Sequence, residues 1–145
     1  PSSNLGGTTK YQGETAMKEA IEEAHAFAEK AHAGQKRKYS GEDYFVHLAE
    51  VGFMLHAAGM PQSVVVAGIL HDTLEDTAVT EDELAAKFGQ QVADLVDEVT
   101  DISRPEDGNR AVRKARDLQH LAGSSRFGAA IKLADLISNA KELSY

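Results

Sequence analysis

Four acidic or imidazole side chains crowd into one short stretch of the sequence, HDTLEDT at residues 71–77. They belong to His71, Asp72, Glu75 and Asp76. On a helix, where each residue advances by about 100°, the four would fall within an arc of roughly 140°. Carboxylates this close repel one another and are costly to desolvate, and a bound cation would offset their charge. The stretch therefore predicts a divalent metal site with two further carboxylates beside it.

The residues before this stretch favour a functional site over a solvated acidic surface. The apolar run VVVAGIL at residues 64–70 directs the helix into a hydrophobic core. Glu75 and Asp76 would also oppose the helix macrodipole if they merely ended a helix, because carboxylates are unfavourable near a helix C-terminus.

Further metal ligands are expected from other helices, because metal sites in helical proteins collect ligands from several facing helices. His47 is one candidate, since apolar residues flank it on a predicted helix. Asp135 is another, since it interrupts an apolar stretch, and a carboxylate buried without a partner would cost several kcal/mol. Asp135 could instead pair with Lys132 or Lys141, and this alternative stays open. Two histidines and two aspartates suit Mn²⁺, Fe²⁺, Zn²⁺ or Mg²⁺.

The elements that must position these side chains are helices, because the chain has only three prolines and no convincing alternation of a strand. Helices are predicted at residues 15–33, 44–58, 61 through 77, 81–88, 92–99, 110–122 and 126–143. Residues 1–13 are polar and rich in Gly, Ser and Thr, and they are predicted to form a flexible leader ahead of one domain at residues 14–145. The sequence thus predicts an all-α, single-domain protein.

Composition narrows the function further. The net charge of -8 argues against binding polymeric nucleic acid, which needs an excess of Lys and Arg. No apolar stretch approaches the length of a membrane span or a signal peptide core. The chain has no cysteine, which excludes thiolate metal ligands and fits a cytoplasmic location. A local basic patch at residues 36–38 leaves room for a small anionic ligand, although basic loop residues are usually solvated.

The order of His47, then His71 and Asp72, then Asp135 resembles the HD superfamily of metal-dependent phosphohydrolases. Four segments narrow this resemblance: GQKRKYSGEDYFVHL, GILHDTLEDTAVT, KFGQQVADLVDEVTDIS and IKLADLISN. They resemble the hydrolase domain of the RelA/SpoT family, in particular its stand-alone small alarmone hydrolases. The resemblance implies the HD-superfamily helical fold, those four residues as metal ligands, and Mn²⁺ as the expected ion.

The resemblance also implies roles for residues around the metal. Glu75 and Asp76 would orient the attacking water, Arg37 and Lys38 would grip the nucleotide, and Asn139 would contact the base or ribose. The implied reaction removes the 3′-pyrophosphate of ppGpp or pppGpp, giving GDP or GTP and pyrophosphate. The chemistry is consistent, because a divalent ion lowers the pKa of water, a carboxylate accepts its proton, and cations bind polyphosphate.

The sequence departs from the family pattern in places, and several functions stay open. Leu136 and Ser138 stand where a basic residue and a His or Tyr are frequent. The alternatives are an HD phosphohydrolase of another nucleotide, such as an adenosine alarmone or NADPH, and a non-catalytic nucleotide-binding HD module. A two-iron oxidative enzyme would need extra ligands such as His56 and His120. A small nucleotide is the expected partner, and a homo-oligomer is left open.

Overall fold

Helices joined by loops make up the computed structural model, which describes residues 2–144 and the side chains of residues 13–144. No strand occurs in residues 2–144, so the predicted all-α class is confirmed. The α-helices of this range are α1 (Ser2–Ala31), α2 (Tyr44–Ala57), α3 (Gln62–Ile69), α4 (Thr73–Asp76), α5 (Glu81–Phe88), α6 (Gln90–Val99), α7 (Arg110–Ala122) and α8 (Arg126–Glu142). A 3₁₀ helix (Pro105–Asp107) precedes α7.

Helix α1 begins at Ser2, so it runs through the residues predicted to form a flexible leader, and the predicted helix start at Thr15 is wrong. Gly, Ser and Thr are weak helix formers, which is why the sequence favoured a later start. Among the side chains described, Met17 is the first to pack against the core, while residues 13–16 are exposed. The division into a leader of residues 1–13 and a domain of residues 14–145 stays a prediction.

Helix α3 is the centre of the hydrophobic core. Every residue from Val64 to Leu70 is buried, and α3 packs against α1, α2, α6 and α8. A helix that is apolar on all sides is stable in water only when other helices surround it. The apolar run of the sequence therefore fixes which helix lies innermost.

Helices α2 and α3 approach closely because each places a glycine against a bulky side chain of the other. A Cβ on Gly52 would lie 2.6 Å from Ile69 Cγ1, and a Cβ on Gly68 would lie 2.3 Å from Leu55 Cδ1. Any larger residue would force the helices apart or displace these side chains. The close contact brings the middle of α2 next to the C-terminal end of α3.

The predicted third helix is interrupted, and the prediction of one continuous helix through residue 77 is wrong. His71 and Asp72 lie in a turn between α3 and α4. Side chains bind two carbonyl oxygens that a continuous helix would use: His71 Nδ1 lies 2.6 Å from the Gly68 oxygen, and Thr73 Oγ1 donates to the Leu70 oxygen at 2.7 Å. Such local side-chain bonds compete with the helical ladder.

Helix α7 lies on the surface and buries none of its residues. Its Asp117 accepts hydrogen bonds from the backbone N–H groups of Ile102 and Ser103, and its Arg116 pairs with Asp107 at 3.1 Å. These contacts tie α7 to the loop that follows α6. Among the residues described, no helix combines the length and the apolar character that crossing a membrane requires.

Candidate metal centre

The structure brings together the four residues predicted to bind a metal. His47 comes from α2, His71 and Asp72 from the turn after α3, and Asp135 from α8. One nitrogen or carboxylate oxygen from each lies within 4.8 Å of the others. The nitrogen His47 Nε2 lies 2.9 Å from Asp135 Oδ1, and His71 Nε2 lies 3.2 Å from the same oxygen. Side chains from three separate parts of the chain thus converge on one point.

The chemistry of this cluster fits a divalent metal ion. His47 Nε2 is buried and has no aligned hydrogen-bond partner, although Asp135 Oδ1 lies close to it. A polar atom buried in this way costs free energy unless another group satisfies it. Two imidazole nitrogens with two carboxylate oxygens form a donor set that borderline and hard divalent ions accept. A cation bound by the four side chains would satisfy the nitrogen and offset the two carboxylates.

Both histidines are oriented by an acceptor at the other ring nitrogen. His71 Nδ1 donates to the carbonyl oxygen of Gly68 at 2.6 Å, and His47 Nδ1 lies 2.8 Å from Ser138 Oγ. A proton held on Nδ1 leaves Nε2 free to bind a metal, and such outer contacts fix the ring orientation. Ser138 is fully buried on α8, close to the candidate ligand Asp135.

The carboxylates of the cluster favour a positive charge beside them. Burial alone lowers the pKa of His71, but the carboxylates of Asp72 and Asp135 raise it well above its usual value. Burial alone raises the pKa of both carboxyl groups, but their contacts with the histidines hold each pKa below its usual range. A cation is therefore favoured at this point whether it is a proton or a metal ion.

Three further side chains contact the two aspartates. The Tyr44 hydroxyl donates to Asp72, Asn139 Nδ2 donates to Asp135 Oδ1 at 3.3 Å, and Lys132 Nζ lies 3.3 Å from Asp135 Oδ2. Burial and the neighbouring Asp72 raise the pKa of the Tyr44 hydroxyl. Asp135 therefore forms the ion pair with Lys132 that was left open as an alternative from the sequence. The sequence does not identify Tyr44 as part of the site, because its only signal is its position one helical turn before the candidate ligand His47.

The predicted acid pair lies on α4, on the side of the centre that solvent reaches. Glu75 Oε1 accepts a hydrogen bond from the Asp101 backbone N–H at 2.6 Å, and Asp76 Oδ2 lies 3.4 Å from Gln35 Nε2. Although the Glu75 side chain is partly exposed, burial by the surrounding protein and the nearby carboxylates raise its pKa to about 7. A carboxyl group with this pKa can accept a proton near neutral pH.

The predicted basic pair is divided in the structure. Arg37 is buried, where its guanidinium donates to the Ser138 carbonyl oxygen at 3.1 Å and lies 3.4 Å from Glu142 Oε2. Lys38 is exposed, with its ammonium 5.3 Å from the centroid of the Tyr39 ring. The structure thus joins Arg37 to the helix that carries part of the metal cluster. Nucleotide binding by these residues and by Asn139 stays a prediction.

The sequence of the chain matches a known family and named relatives. The model of the HD domain matches residues 24–144. An Aquifex aeolicus protein named guanosine-3′,5′-bis(diphosphate) 3′-pyrophosphohydrolase is 37% identical over 125 residues, which cover 86% of this chain and 18% of that protein. A Myxococcus xanthus protein named GTP pyrophosphokinase is 48% identical over 84 residues, 58% of this chain and 11% of the relative. The chain thus spans less than a fifth of the length of these curated relatives.

Solved structures share the fold. The structure of a metazoan ortholog of SpoT, described as hydrolysing ppGpp, matches with a TM-score of 0.76 and 30% identity over 86% of this chain and 70% of that one. A structure from Listeria monocytogenes EGD-e matches with a TM-score of 0.61 and 36% identity over 73% of this chain and 66% of its own. The helical core, the clustered histidines and aspartates, and these matches agree, and the chain belongs to the HD domain family, on its RelA/SpoT branch.

Proposed function

We propose that this chain is a metal-dependent phosphohydrolase that removes the 3′-pyrophosphate of ppGpp or pppGpp, giving GDP or GTP and pyrophosphate. The observation that carries the proposal is the cluster of two histidines and two aspartates within 4.8 Å, beside an acid pair. The names of the Aquifex aeolicus relative and of the SpoT ortholog support the guanosine substrate. Mn²⁺ is the proposed ion, and a cytoplasmic location and a homo-oligomeric state stay predictions from the sequence.

The residues in and beside the cluster would have different chemical roles. His47, His71, Asp72 and Asp135 would hold the ion, which when bound supplies positive charge for the phosphate oxygens and lowers the pKa of water. Glu75 accepts the proton of the attacking water, since its pKa of about 7 leaves a substantial fraction ionised at neutral pH.

Neighbouring groups position this proton acceptor. The Asp101 backbone N–H holds one carboxylate oxygen of Glu75, which leaves the other oxygen for the water. Asp76 follows directly on α4 and is proposed to orient the same water. Lys132, at 3.3 Å from Asp135, adds a fixed positive charge where phosphate oxygens would gather. Glu75 thus acts as general base on a helix that no metal ligand occupies.

The deciding experiment measures Mn²⁺-dependent release of pyrophosphate from ppGpp. The wild-type chain is assayed beside Asp72→Ala, together with a panel of NADPH and an adenosine alarmone. Release from ppGpp that disappears in Asp72→Ala would support the proposal. Turnover of another panel member alone would overturn the substrate assignment. Binding of Mn²⁺ without turnover of any nucleotide would overturn the enzyme assignment and favour the non-catalytic module.

A further inference from the structure

A cavity of about 570 Å³ lies between α7 and α8 beside the metal centre. Helix α7 packs on α6 and on the 3₁₀ helix, so space remains between it and α8. Two residues of the cavity wall contact the site directly. Lys132 Nζ lies 3.3 Å from Asp135 Oδ2, and the Asp101 backbone N–H donates to Glu75. The cavity therefore continues from the metal centre, and its volume lies within the range of small-molecule sites.

The cavity collects positive charge in a chain of net charge -8. Arg110, Arg113 and Lys114 enter it from α7, where spacings of three and four residues place them on one side of the helix. Within the described part of the chain, none of these three side chains has an ion-pair or hydrogen-bond partner, and Arg113 Nε is buried without one. By contrast, Arg116 on the same helix is paired with Asp107. Three cations without partners beside a candidate phosphate site indicate an anionic ligand.

The carboxylates of the cavity wall do not neutralise these cations. Asp117 accepts hydrogen bonds from Ser103 Oγ and from the backbone N–H groups of Ile102 and Ser103, and forms an ion pair with none of the three cations. The wall holds two carboxylates, Asp101 and Asp117, against four cationic side chains, which are Arg110, Arg113, Lys114 and Lys132. The wall of the cavity therefore remains cationic on the α7 side.

The cavity wall also has an apolar part. Leu118 and Leu136 line it and are 58% and 55% exposed, although apolar side chains of this size are usually buried. Their exposure leaves apolar surface beside the three cations. A ligand that combines several phosphate oxygens with an apolar sugar or ring face would cover both parts of the wall.

We propose that this cavity binds the end of the nucleotide that is remote from the scissile phosphate. Arg110, Arg113 and Lys114 bind the 5′-phosphates, and Leu118 and Leu136 contact the sugar. Guanidinium groups suit this task, because their N–H donors form paired, charge-assisted hydrogen bonds with phosphate oxygens. The inference rests on the proposed function, because it places the 3′-pyrophosphate of the same molecule at the metal centre.

The test compares substrates with and without 5′-phosphates on an Arg110→Ala/Arg113→Ala double variant. For ppGpp we expect the KM to rise about tenfold or more with kcat changed less than about threefold, because charge-assisted hydrogen bonds to the substrate are lost. For guanosine 3′-diphosphate, which has a free 5′-hydroxyl, the KM of variant and wild type should agree. Arg116→Ala is the matched control, since this arginine of α7 is paired outside the cavity wall.

Each outcome decides the proposal separately from the proposed function. An unchanged KM for ppGpp in the double variant, or an equal rise for both substrates, would overturn the cavity assignment. If the wild type hydrolyses no nucleotide, the proposed function fails. The cavity assignment is then tested by calorimetric binding of ppGpp to the metal-free protein. Weaker binding by the double variant than by Arg116→Ala would then support the cavity, and equal binding would overturn it. Circular dichroism and Mn²⁺ affinity serve to show that the variants are folded.

Discussion

Ser138 holds the ring of His47 from the far end of the sequence. Its Oγ lies 2.8 Å from His47 Nδ1, and its carbonyl oxygen accepts a hydrogen bond from the buried Arg37. Ser138 thus contacts both a candidate ligand on α2 and a buried arginine in the loop before that helix. It also gives Arg37 a part in positioning the centre.

We expect Ser138→Ala to weaken Mn²⁺ binding by about 10- to 100-fold, because His47 loses the acceptor that fixes its tautomer and orientation. Isothermal titration calorimetry on the metal-free protein measures this affinity. Ser63→Ala, a half-buried serine on α3 outside the cluster, is the control. Equal Mn²⁺ affinity in Ser138→Ala and wild type would show that the hydrogen bond has no positioning role.

Glu75 is expected to destabilise the metal-free fold as the pH rises. The unfolded chain ionises this group near its ordinary pKa of 4.5, whereas the folded chain does so at about 7. The folded state therefore binds more protons between these values, and its stability falls with pH across that window before levelling off.

Glu75→Gln removes this titration, so its melting temperature should exceed that of the wild type by an amount that grows from pH 4.5 to about 7. Thermal melts in EDTA across this range measure the difference, while hydrolysis by the variant is lost. Glu106→Gln, exposed on the 3₁₀ helix, is the control. A constant difference across the window would contradict the raised pKa of Glu75.

At the scale of the elements, the sequence predicts the positions of the helices better than it predicts the turn that contains His71 and Asp72. The apolar run at residues 64–70 predicts the buried helix, and the Thr80 cap, whose Oγ1 accepts the Glu83 backbone N–H, marks the start of α5. The interruption after α3 depends on His71 and Thr73 side chains binding backbone oxygens. The periodicity of hydrophobic residues gives no information about such hydrogen bonds between side chains and the backbone.

Gly68 controls how closely α2 and α3 approach. We expect Gly68→Ala to lower the free energy of unfolding by about 1–3 kcal/mol, because its Cβ would lie 2.3 Å from Leu55 Cδ1. Urea denaturation followed by circular dichroism measures this change. Gly13→Ala is the matched control, since a Cβ there meets nothing within 4 Å and alanine favours a helix. Similar effects of the two substitutions would exclude a close contact at Gly68.

At the scale of the whole molecule, the metal cluster links distant parts of the fold, because its side chains come from three regions of the chain. An ion that binds only the folded state adds stability of about 2.7 kcal/mol at a concentration of 100 times its Kd. We therefore expect EDTA to lower the melting temperature by several degrees and Mn²⁺ to restore it. Differential scanning calorimetry measures the shift.

Asp72→Ala is the control for this whole-molecule effect. Its melting temperature should respond far less to EDTA and Mn²⁺, because it lacks one oxygen of the cluster. A wild-type melting temperature that is independent of Mn²⁺ would show that the cluster does not bind the ion in the folded chain.

Long-range contacts limit what the sequence can predict for the whole molecule. His71 and Asp72 could be selected because they cluster with two further acids, and His47 and Asp135 because each is a polar residue within an apolar stretch. The burial of Arg37 could not, because its partners Ser138 and Glu142 lie about a hundred positions away. The cavity beside α7 also depends on how two helices diverge, which local patterns of hydrophobicity leave open.

The wide spacing of the cluster along the chain has a consequence for protein synthesis. A ribosome releases His47 and His71 long before Asp135 and Ser138, because they precede them by more than sixty residues in the chain. During that interval the emerging polypeptide has only part of the donor set and no acceptor for the His47 ring. We therefore expect the complete donor set for a metal ion to assemble only after α8 has left the ribosome.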